Sequence, residues 1–361
     1  CILTSAFAIK NTMTSNLNKK APVDIEFNAQ MNLDLYASKE DEYSKKEIAT
    51  SHRTVKQRYE DIKIDLDGYL KDACEVFVYG SPDFTFEDFC GDKLGDVKKQ
   101  YPQMITDTGE DIIKISDYNR LMKLYGRKQY TLSSDEYMVI ADFDNMMQLR
   151  DEVLSSGQTI EVFGSTLKPK YRKCQEGFLD ISAQSLNTGI ILVPDDVVQE
   201  KWIKQDCLFG NYKAVSKQEK QKLEKELRSS SLKGKYIYAS KQELADASLG
   251  LSALVTFIGL YLGIVFLMAG AAILALKELS ESADNVERYR MLRKLGVENK
   301  MLNGALFKQI VIFFLCPLLL AVIHSYFGMR FAVAVLSYLA QKDQLLSSTL
   351  LAAAIIVVIY G

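Results

Sequence analysis

Residues 247 to 276 read ASLGLSALVTFIGLYLGIVFLMAGAAILAL, thirty consecutive positions without an Asp, Glu, Lys or Arg. Wound as an α-helix, this run reaches about 45 Å at ~1.5 Å per residue, and a bilayer requires only about 20 apolar residues in a row. A second uncharged stretch, Gln309 to Met329, follows a mixed-charge segment, whereas the residues before Ala247 are polar and mixed in the manner of a water-soluble domain. The pattern predicts a membrane protein that holds a large domain outside the bilayer.

Whole-chain averages hide this division. The chain has 361 residues, 25% of them charged and 48% hydrophobic, and its mean hydropathy of −0.04 results from adding a polar first two thirds to an apolar last third. The net charge of −2 points to no class of partner. In SKQEKQKLEKELR (216–228) lysines alternate with glutamates, as on a solvated helix face, so nothing resembles a nucleic-acid footprint. Cys1 rather than Met opens the chain, and Gly361 closes it inside the apolar run LLAAAIIVVIYG. Both ends are expected to be cuts in a longer protein. Residues 1–11, beginning CILTSAFAI, are expected to be the end of a preceding transmembrane helix, with a trimmed signal peptide as the alternative.

Within 12–246 strand and helix signals alternate. CEVFVYG (74–80), EYMVIADF (136–143), QTIEVFGSTL (158–167) and TGIILVP (188–194) are short, apolar and bounded by turn residues, which predicts strands. SDYNRLMKLYG (116–126) opens on Ser, ends on Gly and keeps Leu121 and Leu124 at helical spacing. NMMQLRDEVLSSG (145–157), DDVVQEKWIKQ (195–205) and 216–228 read as further helices, and ASKEDEYSKKEIATSHRTVKQRYE (37–60) as one exposed helix. The expected fold class is an α+β outer domain joined to an α-helical transmembrane bundle (247–361), with spans near 250–276, 306–328 and 345–361, the last cut short.

Orientation follows from the excess of Lys and Arg in cytoplasmic loops. Between 277 and 308 lie Lys277, Arg288, Arg290, Arg293, Lys294, Lys300 and Lys308, whereas 330–343 carries only Arg330 and Lys342. Segment 277–305 is therefore expected in the cytoplasm and 12–246 outside.

Catalytic signatures are missing. GSTLKPK (164–170) lacks the second Gly and the Lys-Ser/Thr pair of a phosphate-binding loop, and neither G-x-S-x-G nor H-E-x-x-H occurs. The six cysteines (1, 74, 90, 174, 207, 316) include no C-x-x-C pair, and His52 and His324 lie far apart. No metal site and no enzymatic activity are expected. For Cys74, Cys90, Cys174 and Cys207 three disulfide pairings stand open beside buried free thiols, because the domain is large enough to hold a core without cross-links.

The segment that bears a recognisable device is ESADNVERYRMLRKLGVENKMLNG (281–304). Val286, Tyr289 and Leu292 recur at three-residue spacing, with Met291 and Leu295 alongside, beside a basic face of Arg290, Arg293 and Lys294. Gly296 suits the left-handed conformation that ends a helix, and Val297, Met301 and Ala305 resume an apolar ridge. Such a two-faced helix suits a surface that receives force from a cytoplasmic partner; the alternative is a charged loop that only sets topology. Gly259, Gly263 and Gly270 form a small-residue ridge for helix packing. Pro317 is expected to bend the second span, and His324 and Ser325 to lie at the membrane interface.

At ERYRMLRKLGVENKMLNGALFKQ (287–309) the chain resembles FtsX-like permeases of the ABC transporter superfamily. FFLCPLLLAVIHSYFGMRF (313–331) is closer to the bacitracin-export, BceB-like, permeases, and SDYNRLMKLYGRKQYTLSSDEYMVIAD (116–142) is similar to outer domains of that group. The resemblance implies a permease subunit without its own cofactor. A separate cytoplasmic ATPase dimer would carry ATP and Mg and dock through Arg290, Arg293, Lys294, Gly296 and Glu298. The outer domain would act mechanically on an extracellular peptide or lipid, with links to antimicrobial peptide resistance and to a sensor kinase. The alternative function is a membrane scaffold that regulates a cell-wall hydrolase or a sensor kinase without transport.

Overall fold

The computed structural model describes residues 17, 19–36, 43–81, 83–100 and 108–335. They divide into two compact units, one within 16–247 and one that takes in 248–335.

The first unit is built on ten strands: β1 (Ile25–Gln30), β2 (Leu70–Tyr79), β3 (Ile112–Lys114), β4 (Glu136–Ala141), β5 (Ile160–Val162), β6 (Ser165–Pro169), β7 (Gln175–Glu176), β8 (Ile190–Val193), β9 (Ile203–Tyr212) and β10 (Ile237–Ser240). They form one mixed sheet in the order β10-β1-β9-β2-β3-β8-β4-β6-β5, with β7 also on β4. The β3–β8 pair is parallel and the β1–β9 and β2–β9 pairs antiparallel. The helices are α1 (Lys45–Ser51), α2 (Val55–Glu60), α3 (Phe86–Cys90), α4 (Leu94–Gln100), α5 (Ile115–Tyr125), α6 (Asp144–Ser155) and α7 (Lys217–Ser229).

Alternation along the strands sends side chains to opposite faces. Ile25, Phe27 and Leu208 turn to one face, where Val55 and Tyr59 of α2 and Leu227 of α7 cover them. Val76, Cys207 and Phe209 turn to the other, against Tyr118, Leu121 and Tyr125 of α5. A third cluster joins β4 and β8 to α3 and α6 through Val139, Ile191, Phe89, Leu149 and Val153.

Several expectations are corrected. Segment 195–205 is not a helix: after a 3₁₀ turn at Glu200–Trp202 it enters β9, where Ile203 and Gln205 are ladder partners of Tyr79 and Val78. Of the expected exposed helix 37–60, residues 37–42 lie outside the described ones. The remainder is two helices, each opened by a reciprocal cap, Ser44 with Glu47 and Thr54 with Gln57. That second helix is not exposed, since Val55 and Tyr59 are fully buried. Stretch 158–167 is a β5–β6 hairpin rather than one strand, turning at Phe163 and Gly164, both at positive φ, as a two-residue turn between twisted strands demands. Cys74, Cys90, Cys174 and Cys207 are buried free thiols.

Two buried cations of this unit are held by carboxylates. Lys20 donates to Asp142 at 2.6 Å. Arg150 Nη2 reaches both oxygens of Glu110 at 2.9 Å, its Nε donates to the Thr188 carbonyl at 2.8 Å, and its guanidinium lies about 5 Å from the rings of Phe86 and Phe89. Gly189 makes room for this arginine, since a Cβ there would overlap Arg150 Nε.

The remaining helices are α8 (Lys241–Lys294), uninterrupted for 54 residues, and α9 (Asn299–Val335). Among the described residues one stretch, Thr256–Glu281, is long and apolar enough to cross a membrane, and α9 carries a shorter apolar stretch, Leu319–Gly328. Three spans are thus not established: the expected 306–328 span falls in α9, and residues 1–11 and 345–361 lie outside the described ones. α9 continues through Pro317.

Candidate docking elbow

Four residues, Leu295 to Glu298, separate α8 from α9. Gly296 takes φ +89, its N–H donates to the Arg293 carbonyl at 3.1 Å, and the Val297 N–H donates to the Leu292 carbonyl at 3.3 Å. This is the paired 5→2 and 6→1 bonding that closes a helix on a left-handed residue. Immediately afterwards the Glu298 carbonyl accepts the N–H groups of Met301 and Leu302 at 3.0 and 3.2 Å and opens α9. The end of α8 is closed and α9 begins within one short bend. Because any Cβ is strained at this φ, Gly296→Val is expected to destabilise the bend by about 1–2 kcal/mol, and Gly296→Asn by less. Equal thermal denaturation midpoints across the Gly, Asn and Val proteins would refute that geometry.

The bend presents what the sequence predicts at its tip. Arg290, Arg293, Lys294 and Glu298 are exposed, and no ion pair engages the three cations among the described residues. Met291, Leu295 and Met301 are exposed beside them, Leu295 by 80%. The expected stripe of Val286, Tyr289 and Leu292 is only partly realised: Tyr289 is half-buried while Val286 is exposed.

The opposite side of α8 is covered. Gly259 is buried, Gly263 and Gly270 half-buried, and three- and four-residue spacings place Leu274, Glu281 and Tyr289 on the same face. Near the bend that face meets α9, where Gln309 Nε2 donates to Glu281 Oε1 at 2.8 Å and Leu302 is buried. Both Glu281 and Gln309 lie in segments the sequence marks, 281–304 and 287–309, but neither is among the residues given a role there. Their spacing of 28 residues becomes adjacency only when the bend is built.

Among the described residues no group of three or more His, Cys, Asp or Glu side chains is placed to hold a metal ion. What the elbow offers is a basic, partly apolar knob on a tightly closed helix pair, suited to a partner with an acidic rim around an apolar hollow.

No family model matches the chain. It is 33% identical over 93 residues to the ABC transporter permease protein YxdM of Bacillus subtilis (strain 168), covering 26% of this chain and 15% of that protein. To the bacitracin export permease protein BceB of the same organism it is 34% identical over 94 residues, 26% of this chain and 14% of BceB. With the ABC transporter permease YvcS, also of Bacillus subtilis, identity is 23% over 253 residues, 67% of this chain and 37% of that protein. A match of that extent runs beyond residues 248–361 into the α/β unit. The chain spans well under half the length of these relatives. By descent, then, it is a homologue of the ABC transporter permeases, a group in which bacitracin-export permeases are found.

Proposed function

We propose that the chain belongs to the membrane-spanning subunit of an ATP-driven ABC transporter of the FtsX-like, mechanotransmission type. The elbow at Arg290, Arg293, Lys294, Gly296 and Glu298 receives a cytoplasmic ATPase dimer, which carries ATP and Mg. The Lys and Arg bias around the bend supports placing it in the cytoplasm, with the α/β unit outside. Closure of the dimer displaces α8 and α9, and the α/β unit acts on an extracellular peptide or lipid, in keeping with a part in antimicrobial peptide resistance. The observation that carries this reading is the knob itself: three cations that enter no ion pair among the described residues, with exposed Met291 and Leu295, raised on a bend where α8 is closed by paired backbone hydrogen bonds.

The test replaces Arg293 and Lys294 together by Glu and measures co-purification with the cognate ATPase and stimulation of its ATP hydrolysis. Like charges placed at a docking face are expected to weaken association by about tenfold or more. Undiminished association and stimulation would remove the elbow from the docking role.

A further inference from the structure

A cleft of about 920 Å³ in the α/β unit is lined by β1, the start of β10, the preceding turn, and α1 and α2. Arg58 reaches it from α2. Only 5% of this residue is exposed, Nε donates to the Arg53 carbonyl at 2.7 Å, Nη2 donates to the Gln30 carbonyl at 2.9 Å, and the guanidinium stands 4.8 Å from the centre of the Tyr236 ring. Among the described residues Nη1 donates no hydrogen bond and no carboxylate pairs with Arg58.

The other two buried cations show what is missing. Lys20 has Asp142 and Arg150 has Glu110, both in direct ion pairs. A buried charge without a hydrogen-bonded counter-charge is costly, and Arg58 is the one of the three that lacks it. Asp206 lies near enough to feel the guanidinium, yet its Oδ2 is turned to the Val55 N–H at 2.6 Å.

The remaining charges on the cleft leave it positive. Lys46, Arg58, Lys204 and Lys235 stand against Glu47 and Asp61 on its lining; Glu47 is held in its charged form by Ser44 and, more weakly, by Lys235, Asp61 is paired with Arg53, and Lys204 is paired with Asp111. Lys46 and Lys235 are exposed on the cleft and enter no ion pair among the described residues, and Lys235 Nζ lies 5.7 Å from the Tyr236 ring. Tyr238 is exposed beside them.

We propose that this cleft is a binding site for a compact oxyanion, carboxylate or phosphate, on a ligand whose apolar or planar part packs against Tyr236 and Tyr238. Arg58 supplies the oriented charge-assisted hydrogen bond, for which its planar fork is suited, and Lys46 and Lys235 draw the anion in. The site is independent of the permease reading and stands or falls whether or not an ATPase docks on the elbow.

The experiment uses the full chain in detergent and two probes, inorganic phosphate and N-acetylglutamate. Amine acylation is followed residue by residue, with exposed Lys123 as the reference, and affinity is read by titration calorimetry. Saturable protection of Lys46 and Lys235, but not Lys123, by either probe supports the site, and the probe that protects names the oxyanion. Arg58→Gln is expected to weaken the affinity by about tenfold or more, the loss of one charged hydrogen bond of roughly 1.5–3 kcal/mol. Should Arg58→Gln fail to fold, the exposed pair Lys46→Gln with Lys235→Gln is expected to weaken it as well. Protection spread equally over Lys123, absence of saturable binding, or affinity undiminished in whichever of these variants folds would overturn the proposal.

Discussion

Glu110→Ala is expected to lower the stability of the α/β unit by about 3–5 kcal/mol, the cost of leaving one member of a buried ion pair without its partner. For a unit of this size that corresponds to a fall of roughly 6–20 °C in the midpoint of thermal unfolding. Arg150 cannot swing to solvent, because Phe86 and Phe89 face it and the Thr188 carbonyl holds Nε. The double variant Glu110→Leu with Arg150→Met removes both charges and is expected to recover most of the loss, since replacing a whole buried pair by apolar groups is often neutral. A midpoint in Glu110→Ala within a degree or two of the parent would show that the pair is not buried as described.

Asp206 makes stability depend on pH. Burial, and then the neighbouring Glu75 carboxylate, push its pKa up to about 7, against the lowering action of the Val55 N–H, Arg58 and Lys56. Its folded pKa thus lies above that of the unfolded chain, so the fold favours the neutral acid. The resulting stability is fully present below about pH 4 and is lost as pH rises through about 7. At ~1.4 kcal/mol per unit over roughly three units, the loss is at most about 4 kcal/mol. Burial pushes Glu26 and Asp180 in the same direction; Asp180 raises Glu26 further, whereas the hydrogen bond with Glu26 lowers Asp180. Asp206→Asn keeps an acceptor for the Val55 N–H and removes the ionisation. Thermal midpoints measured from pH 4 to pH 8 are expected to fall less steeply in Asp206→Asn than in the parent. Parallel profiles would show that Asp206 ionises freely in the fold.

Those same acids explain which elements the sequence hides. Stretches 74–80, 136–143 and 188–194 announce β2, β4 and β8 because they are apolar and bounded by turn residues, and the Ser and Gly punctuation at 116–126 announces α5. β1 and β9 carry Glu26 and Asp206 at fully buried positions, where isolated carboxylates argue against a strand. They are tolerated because the Ile181 and Val55 N–H groups, remote in sequence, donate to them at 2.7 and 2.6 Å. Such partners are visible only after the chain has folded.

The elbow divides in the same way. Gly296, the basic face and the glycine ridge follow from local spacing. Glu281 with Gln309 and the buried Leu302 depend on α9 folding back on α8. The cleft around Arg58 is hidden altogether, since Lys46 and Arg58 fall in 37–60, which reads as one exposed helix, and Tyr236 lies far from them in sequence.

β1 and β10 lie side by side, with Ile25 opposite Ser240 and the Lys241 N–H donating to the Asp24 carbonyl at 2.8 Å. The chain therefore departs from position 24 and returns at position 241 within about 5.5 Å, the spacing of one antiparallel step. Whatever is threaded between those two points adds no length to the backbone that brackets it. Because Lys20, Ala21 and Val23 ahead of the first point and Leu244 beyond the second pack into the same body, the seam is clamped from both sides, and the unit is held shut where its chain enters and leaves.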